Sequence, residues 1–191
     1  MTAEPLTAAV VYPGGLRARY RWVGPGGEVA LFALTEGDGT LLDHGDRGAA
    51  ASARRCRAEL RRVDGPGGTW TARFESLIYD EPTGVAWDRA GLLVVGYGFA
   101  AYGLRARTGE LRWVHRAGSP LIAVLGSSRL DHLIVQAEIE TFALEEDGHV
   151  LWRAAHSDVV TGAELVAGRL VLAGYGGEIA ALDARTGRPI S

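Results

Sequence analysis

The sequence Leu92-Leu93-Val94-Val95-Gly96-Tyr97-Gly98 is an apolar run closed by glycine. Phe99-Ala100-Ala101-Tyr102-Gly103-Leu104 follows, then Arg107-Thr108-Gly109, then Glu110-Leu111-Arg112-Trp113-Val114. Short runs rich in β-branched and aromatic residues, bounded by glycine, read as strands. Glycine at the turns reaches positive φ without a Cβ clash, which favours hairpins. The pattern then recurs. Leu133-Ile134-Val135-Gln136, Ile139 to Leu144, Asp147-Gly148 and Val150-Leu151-Trp152 form one copy. Leu170 to Gly176, Ile179-Ala180-Ala181-Leu182, Thr186-Gly187 and Arg188-Pro189-Ile190 form another.

Outward from these copies, glycine turns stand at Gly27, Gly68, Gly109, Gly148 and Gly187, with intervals of 41, 41, 39 and 39 residues. A period near 40 built from short strands is the mark of a propeller blade. Opening strands at Gly84–Trp87, Leu121–Leu125 and Ala163–Val166 bring each clear unit to four, the number in a blade. The apolar second strands predict burial on both faces, as between stacked sheets. The expectation is an all-β protein, a small β-propeller of about five blades with four-stranded antiparallel sheets. Its single domain over 1–191 divides into units near 1–35, 36–77, 78–117, 118–157 and 158–191. The first two units diverge. Leu16–Trp22, Val29–Phe32, Ala58–Val63 and Trp70–Phe74 read as strands, Ala8–Val11 is a candidate strand, and Gly48–Arg57 reads as strand or helix.

The turn sequences resemble the quinoprotein-like (PQQ-type) β-propeller repeat, roughly Ala-x-Asp-x-x-Thr-Gly-x-x-x-Trp. Ala181-Leu182-Asp183-Ala184-Arg185-Thr186-Gly187 matches the first half, and Arg107-Thr108-Gly109-Glu110-Leu111-Arg112-Trp113 the second, with Arg105 for the aspartate. Ala143 to Trp152 matches one residue short. The resemblance covers about 84–191. It implies that Trp113 and Trp152 dock on neighbouring blades as structural residues. It does not imply the quinone. Members that hold it are larger, many with an adjacent cysteine pair, and only Cys56 stands here. No cofactor is expected.

Composition narrows the function. The net charge is −3, so bulk electrostatics offers no attraction for nucleic acid. All 20 basic residues are arginine. Without lysine, a P-loop of the usual form, a side-chain Schiff base and a kinase site are excluded. No apolar run reaches the roughly 20 residues of a membrane helix, and Met1–Pro5 lacks the basic-then-apolar plan of a secretory signal. With one cysteine, a cytoplasmic location is the expectation.

Candidate sites are few. Tyr97, Gln136 and Tyr175 stand near the turn after the second strand of successive units, so they are candidates for one ligand or partner face. The plainer alternative makes Gly-Tyr-Gly part of the repeat, with tyrosine covering a loop. Arg54, Arg55, Arg57, Arg61 and Arg62 surround Cys56 as a candidate basic patch. A strand there divides them between two faces, and a solvated edge is the plainer reading. His44, His115, His132, His149 and His156 show no metal-ligand spacing. No catalytic, cofactor or metal residue is assigned. The expected function is a non-catalytic interaction module presenting blade loops to a protein or peptide. The alternative is a small-molecule-binding or hydrolytic propeller using the central opening. An unclosed ring leaves bare edges, which points to homodimerisation.

Overall fold

A computed structural model describes the backbone of residues 6–11, 17–22, 29–37, 55–63, 70–76, 78 and 82–190, and the side chains of 70, 72–74, 76, 78 and 82–190. Strands β1 (Leu6–Val11) and β2 (Arg17–Trp22) form an antiparallel hairpin. Strands β3 (Val29–Gly37), β4 (Arg55–Val63) and β5 (Trp70–Ser76) form a three-stranded sheet. A four-stranded sheet follows from β6 (Thr83–Trp87), β7 (Leu92–Tyr97), β8 (Ala100–Arg105) and β9 (Leu111–Arg116). The next comprises β10 (Leu121–Leu125), β11 (Leu133–Ala137), β12 (Glu140–Leu144) and β13 (Val150–Ala155). The last comprises β14 (Val160–Val166), β15 (Arg169–Gly174) and β16 (Ile179–Asp183), and Pro189 bridges Leu182 where a fourth strand would start.

Every sheet is an antiparallel meander in chain order, the topology of a propeller blade. Inner strands of adjacent sheets lie together, β6 against β10 and β10 against β14. The fold is therefore the expected all-β propeller; among the described residues two sheets have the expected four strands, and the last has three, with only the Pro189 bridge where the fourth was expected. The expected boundary at 35/36 falls inside β3, whose ladder partner β4 lies in the next expected unit. Within Gly48–Arg57, Arg55–Arg57 are strand, and 48–54 lie outside the described residues.

Among the described residues, three apolar layers hold the sheets together. Ala72 and Phe74 meet Val95, Tyr102 and Leu104 in the first, where the Phe74 and Tyr102 rings stand 4.7 Å apart. Trp87, Val94 and Ala101 meet Leu133, Val135 and Phe142 in the second. Ile134 meets Leu170, Leu172 and Leu182 in the third. Each large side chain so buried contributes about 1.5–3 kcal/mol. Burial explains the unbroken apolar runs: β7 and β11 are buried at every residue, whereas β15 is buried only at Leu170 and Leu172. One face of the last sheet is thus uncovered, with Ile179 69% exposed.

Among the described residues, a tryptophan staple joins each of the last three sheets to the one before it. Trp70 Nε1–H donates to the Ala106 carbonyl at 3.0 Å, and Trp113 Nε1–H to the Glu146 carbonyl at 3.0 Å. The indoles lie over the glycines of the following turns, Gly109 under Trp70 and Gly148 under Trp113. A Cβ at either glycine would come within 2.6 Å of the indole, and φ there is +73° and +87°. Glycine is required twice over, by space and by backbone. Trp152 covers Gly187 in the same way, yet its Nε1–H has no protein partner. In the Gly187 turn, Asp183 Oδ1 accepts the N–H groups of Arg185 and Thr186, which accounts for the Asp-x-x-Thr-Gly spelling.

A β-bulge precedes the docking tryptophan in both four-stranded sheets. Leu104 pairs with Leu111 and Gly103 with Trp113, leaving Arg112 outside the ladder. Leu144 pairs with Val150 and Ala143 with Trp152, leaving Leu151 outside it, half exposed at 50%.

Candidate functional site

The meander puts the turns between second and third strands on one face, together with the segments that pass from one sheet to the next. Hydrogen bonds knit this face. Leu121 N–H donates to the Gly98 carbonyl, Glu138 N–H to Pro120, Val160 N–H to Glu138 and Tyr175 N–H to Val159. The turn tips Ile139 and Tyr175 are thereby linked through the Val159–Val160 segment.

Beneath them the β11–β12 hairpin carries a polar network in an otherwise apolar wall. Gln136 and Thr141 face each other across the ladder, and both are fully buried. Gln136 Nε2 donates to the carbonyls of Ala137 (2.7 Å) and Glu140 (3.3 Å), so its Oε1 is the acceptor for the Thr141 hydroxyl. The single hydroxyl proton is spent there. His156 Nε2, 2.7 Å from Thr141 Oγ1, is therefore a donor and carries a proton. Every polar atom of Gln136 and Thr141 is engaged inside the protein.

Glu140 anchors the rim of the network. Its Oε1 accepts the Gly118 N–H at 2.6 Å, and its Oε2 accepts Arg153 Nε–H at 2.7 Å and a second bond from Arg153 Nη2. Burial alone pushes this carboxyl up, but the Gly118 N–H and the Arg153 guanidinium outweigh it and hold it below the usual carboxylate range. His115 lies against Phe142 with ring centroids 4.4 Å apart. Burial, reinforced by Arg153, pulls its imidazole below the ordinary value against the pull of Glu140. Burial lowers His156 as well, again opposed by Glu140. Among the described residues, no group of three or more His, Cys, Asp or Glu side chains has metal-holding geometry. This arrangement fastens the Gly118–Ser119 segment to the hairpin and offers no activated nucleophile.

The three aligned candidates occupy different environments. Tyr97 is 1% exposed, Gln136 is 0% and Tyr175 is 81%. Register explains the difference. The leucines Leu93, Leu133 and Leu170 pair with Leu104, Leu144 and Leu182 in the three sheets and mark equivalent positions. Counted from them, Gln136, Tyr97 and Tyr175 stand three, four and five residues on: the first two still lie in strands buried on both faces, whereas Tyr175 lies one residue past the end of β15 in the less covered last sheet. Of the basic cluster, Arg55, Arg57, Arg61 and Arg62 lie on β4 with Cα partners Gly37, Thr35, Leu31 and Ala30, and Arg54 lies outside the described residues. Glu140 and Arg153, which organise the rim, carry no motif. The one signal that points at the network is a lone polar residue, Gln136, closing the run Leu133-Ile134-Val135.

Stacked antiparallel blades joined by tryptophan-on-glycine staples define a β-propeller of PQQ-type repeats. The family model for outer membrane protein assembly factor BamB matches residues 57–191, and the chain belongs to that family. No curated protein matches the chain at a significant level. Among solved structures, BamB from Moraxella catarrhalis is 24% identical with a TM-score of 0.49, covering 83% of this chain and 51% of its own. The computationally designed Ika4 protein is 18% identical with a TM-score of 0.48, covering 53% of this chain and 65% of its own. The designed Ika8 protein is 14% identical with a TM-score of 0.49, covering 70% of this chain and 45% of its own. The chain therefore spans between 45% and 65% of the length of these structures. Among the described residues no helix is long and apolar enough to cross a membrane.

Proposed function

We propose that the protein is an interaction module that presents the turn face around Ile139 and Tyr175 to a protein partner. The observation that carries this reading is a division of labour on that face. The polar groups of Gln136, Thr141 and Glu140 are consumed internally, while Ile139 at 46% and Tyr175 at 81% stand exposed on hydrogen-bonded neighbouring turns. Tyrosine is among the residues that most often carry the energy of protein recognition. The family description, an outer membrane protein assembly factor, names a protein that serves other proteins and supports the same reading.

Site-specific photocrosslinking in cells tests it, with the crosslinker at position 175 or 139. One protein captured from both positions, and lost when the other tip is changed to serine, is the expected result. Identical crosslinks from a control position at Arg188 overturn it. We propose the cytoplasm as the compartment. Fractionation with outer membranes would instead place the protein beside the assembly factors its family is named for. The uncovered face of β15 and β16 supports self-association as a further part of the proposal, read by light scattering.

A second reading has its own support. A cavity of about 530 Å³ lies between β6 and β10 at their turn ends, lined among others by Trp87, Ser127 and Ser128. Small-molecule binding there predicts a co-purified ligand by native mass spectrometry.

A further inference from the structure

We infer that a groove on the opposite face, between the β6–β9 and β10–β13 sheets, binds an acidic peptide segment. The groove has a volume of about 770 Å³ and runs over the Trp113 indole, with Arg105, Arg107, Arg112, Glu146 and Asp147 on its walls. By formal count the lining is mixed. Its three arginines outnumber its two carboxylates. Asp147 is committed to His149, accepting its backbone N–H at 3.0 Å and facing its Nδ1 at 2.8 Å. Glu146 faces Arg89 Nε at 3.8 Å, and Arg105 is held by Glu110 at 3.0 Å. Among the described residues, the guanidinium groups of Arg107 and Arg112 have no ion pair or hydrogen bond. Two uncommitted cations therefore flank an apolar floor.

Their positions are local to this blade. Arg112 is the bulge residue of β9, and a bulge redirects a side chain out of the ladder. The equivalent bulge of the next sheet holds Leu151. Arg107 sits in the Ala-Arg-Thr-Gly turn, and its counterpart Arg185 is tied to the Arg129 carbonyl at 2.9 Å, while Arg107 is not. Planar guanidinium groups on a partly apolar trough match carboxylates on a flexible chain, bidentately and with their stems covered. The protein's net charge of −3 and the carboxylates on the groove walls disfavour a long polyanion.

Fluorescence anisotropy with the full chain and a labelled peptide of alternating glutamate and glycine tests the inference. Saturable binding is expected at about 150 mM salt, weakening as salt rises. The double substitution Arg107→Ser with Arg112→Ser is expected to lower affinity at least about tenfold, since charge-assisted hydrogen bonds are the strong ones. Arg188→Ser, outside the groove, is expected to leave affinity unchanged, and circular dichroism checks that each variant is folded. Absence of saturable binding, equal affinity in the double variant, or tighter binding of a single-stranded RNA of equal charge overturns it. Ile139 and Tyr175 lie on the other face, so the outcome is separable from that of the crosslinking experiment.

Discussion

His132 donates through Nε2 to the carbonyl of Ala184, 2.8 Å away, bridging two blades with a buried imidazole. In the two preceding staples the carbonyl three residues before the turn glycine, Ala106, or two before it, Glu146, accepts an indole N–H. At the third staple the acceptor is taken by histidine, and Trp152 Nε1–H is left without a protein partner. The ring of His132 stands edge-on to Trp152 with centroids 6.2 Å apart.

The two docking tryptophans should differ in worth. Trp113→Ala is expected to cost about 3–5 kcal/mol, the range for large aromatic truncation. Trp152→Ala is expected to cost about 1 kcal/mol less, because no hydrogen bond is lost with it. Urea unfolding measures both, and losses below about 1 kcal/mol would match a surface position instead.

His132 and Trp152 should act as a coupled pair. A double-mutant cycle with His132→Leu and Trp152→Phe is expected to give an interaction energy of about 0.5–3 kcal/mol, since removing the imidazole frees the Ala184 carbonyl beside the indole. Additive effects would show that the two side chains are energetically independent.

Acid should weaken the protein in two stages. His115 and His156 titrate below the ordinary imidazole value when folded, so the unfolded chain binds their protons first. Their contribution is complete above about pH 6.5 and is lost as pH falls below it. Glu140 is also lowered, so its contribution is complete above about pH 4.3 and is lost as pH falls through its folded value. His156→Gln is expected to flatten the first limb of a stability–pH curve and Glu140→Gln the second. Parallel curves for all three proteins would contradict the assignment.

Most strands from Thr83 onward were legible because each apolar run is bracketed by glycine and repeated, and β10 begins and ends at the residues read from the sequence, Leu121 and Leu125; β14 starts at Val160 rather than Ala163, and Arg188–Ile190 gives only the Pro189 bridge. The PQQ-type resemblance, read from the spacing between the turn glycine and the tryptophan, agrees with the family match. Site geometry was less legible. Tyr97 and Tyr175 share a Gly-Tyr-Gly string, yet Tyr97 closes β7 while Tyr175 lies one residue past β15. A one-residue offset turns a side chain to the other face of a strand, and only cross-strand pairing reveals it. The Glu140–Arg153–Gly118 tie is made of bonds between residues 22 and 13 apart, through an inter-sheet segment and a hairpin. Such convergence is set by tertiary folding and leaves no periodic trace.

The bulge residues Arg112 and Leu151 sit outside the ladder, immediately before the tryptophan that holds the next sheet. Nothing in the hydrogen-bond pattern depends on their identity. Both four-stranded sheets therefore contain a position whose side chain the ladder does not dictate. The outer wall of a blade can thereby change its chemistry one letter at a time while the pairing of its strands stays as it is.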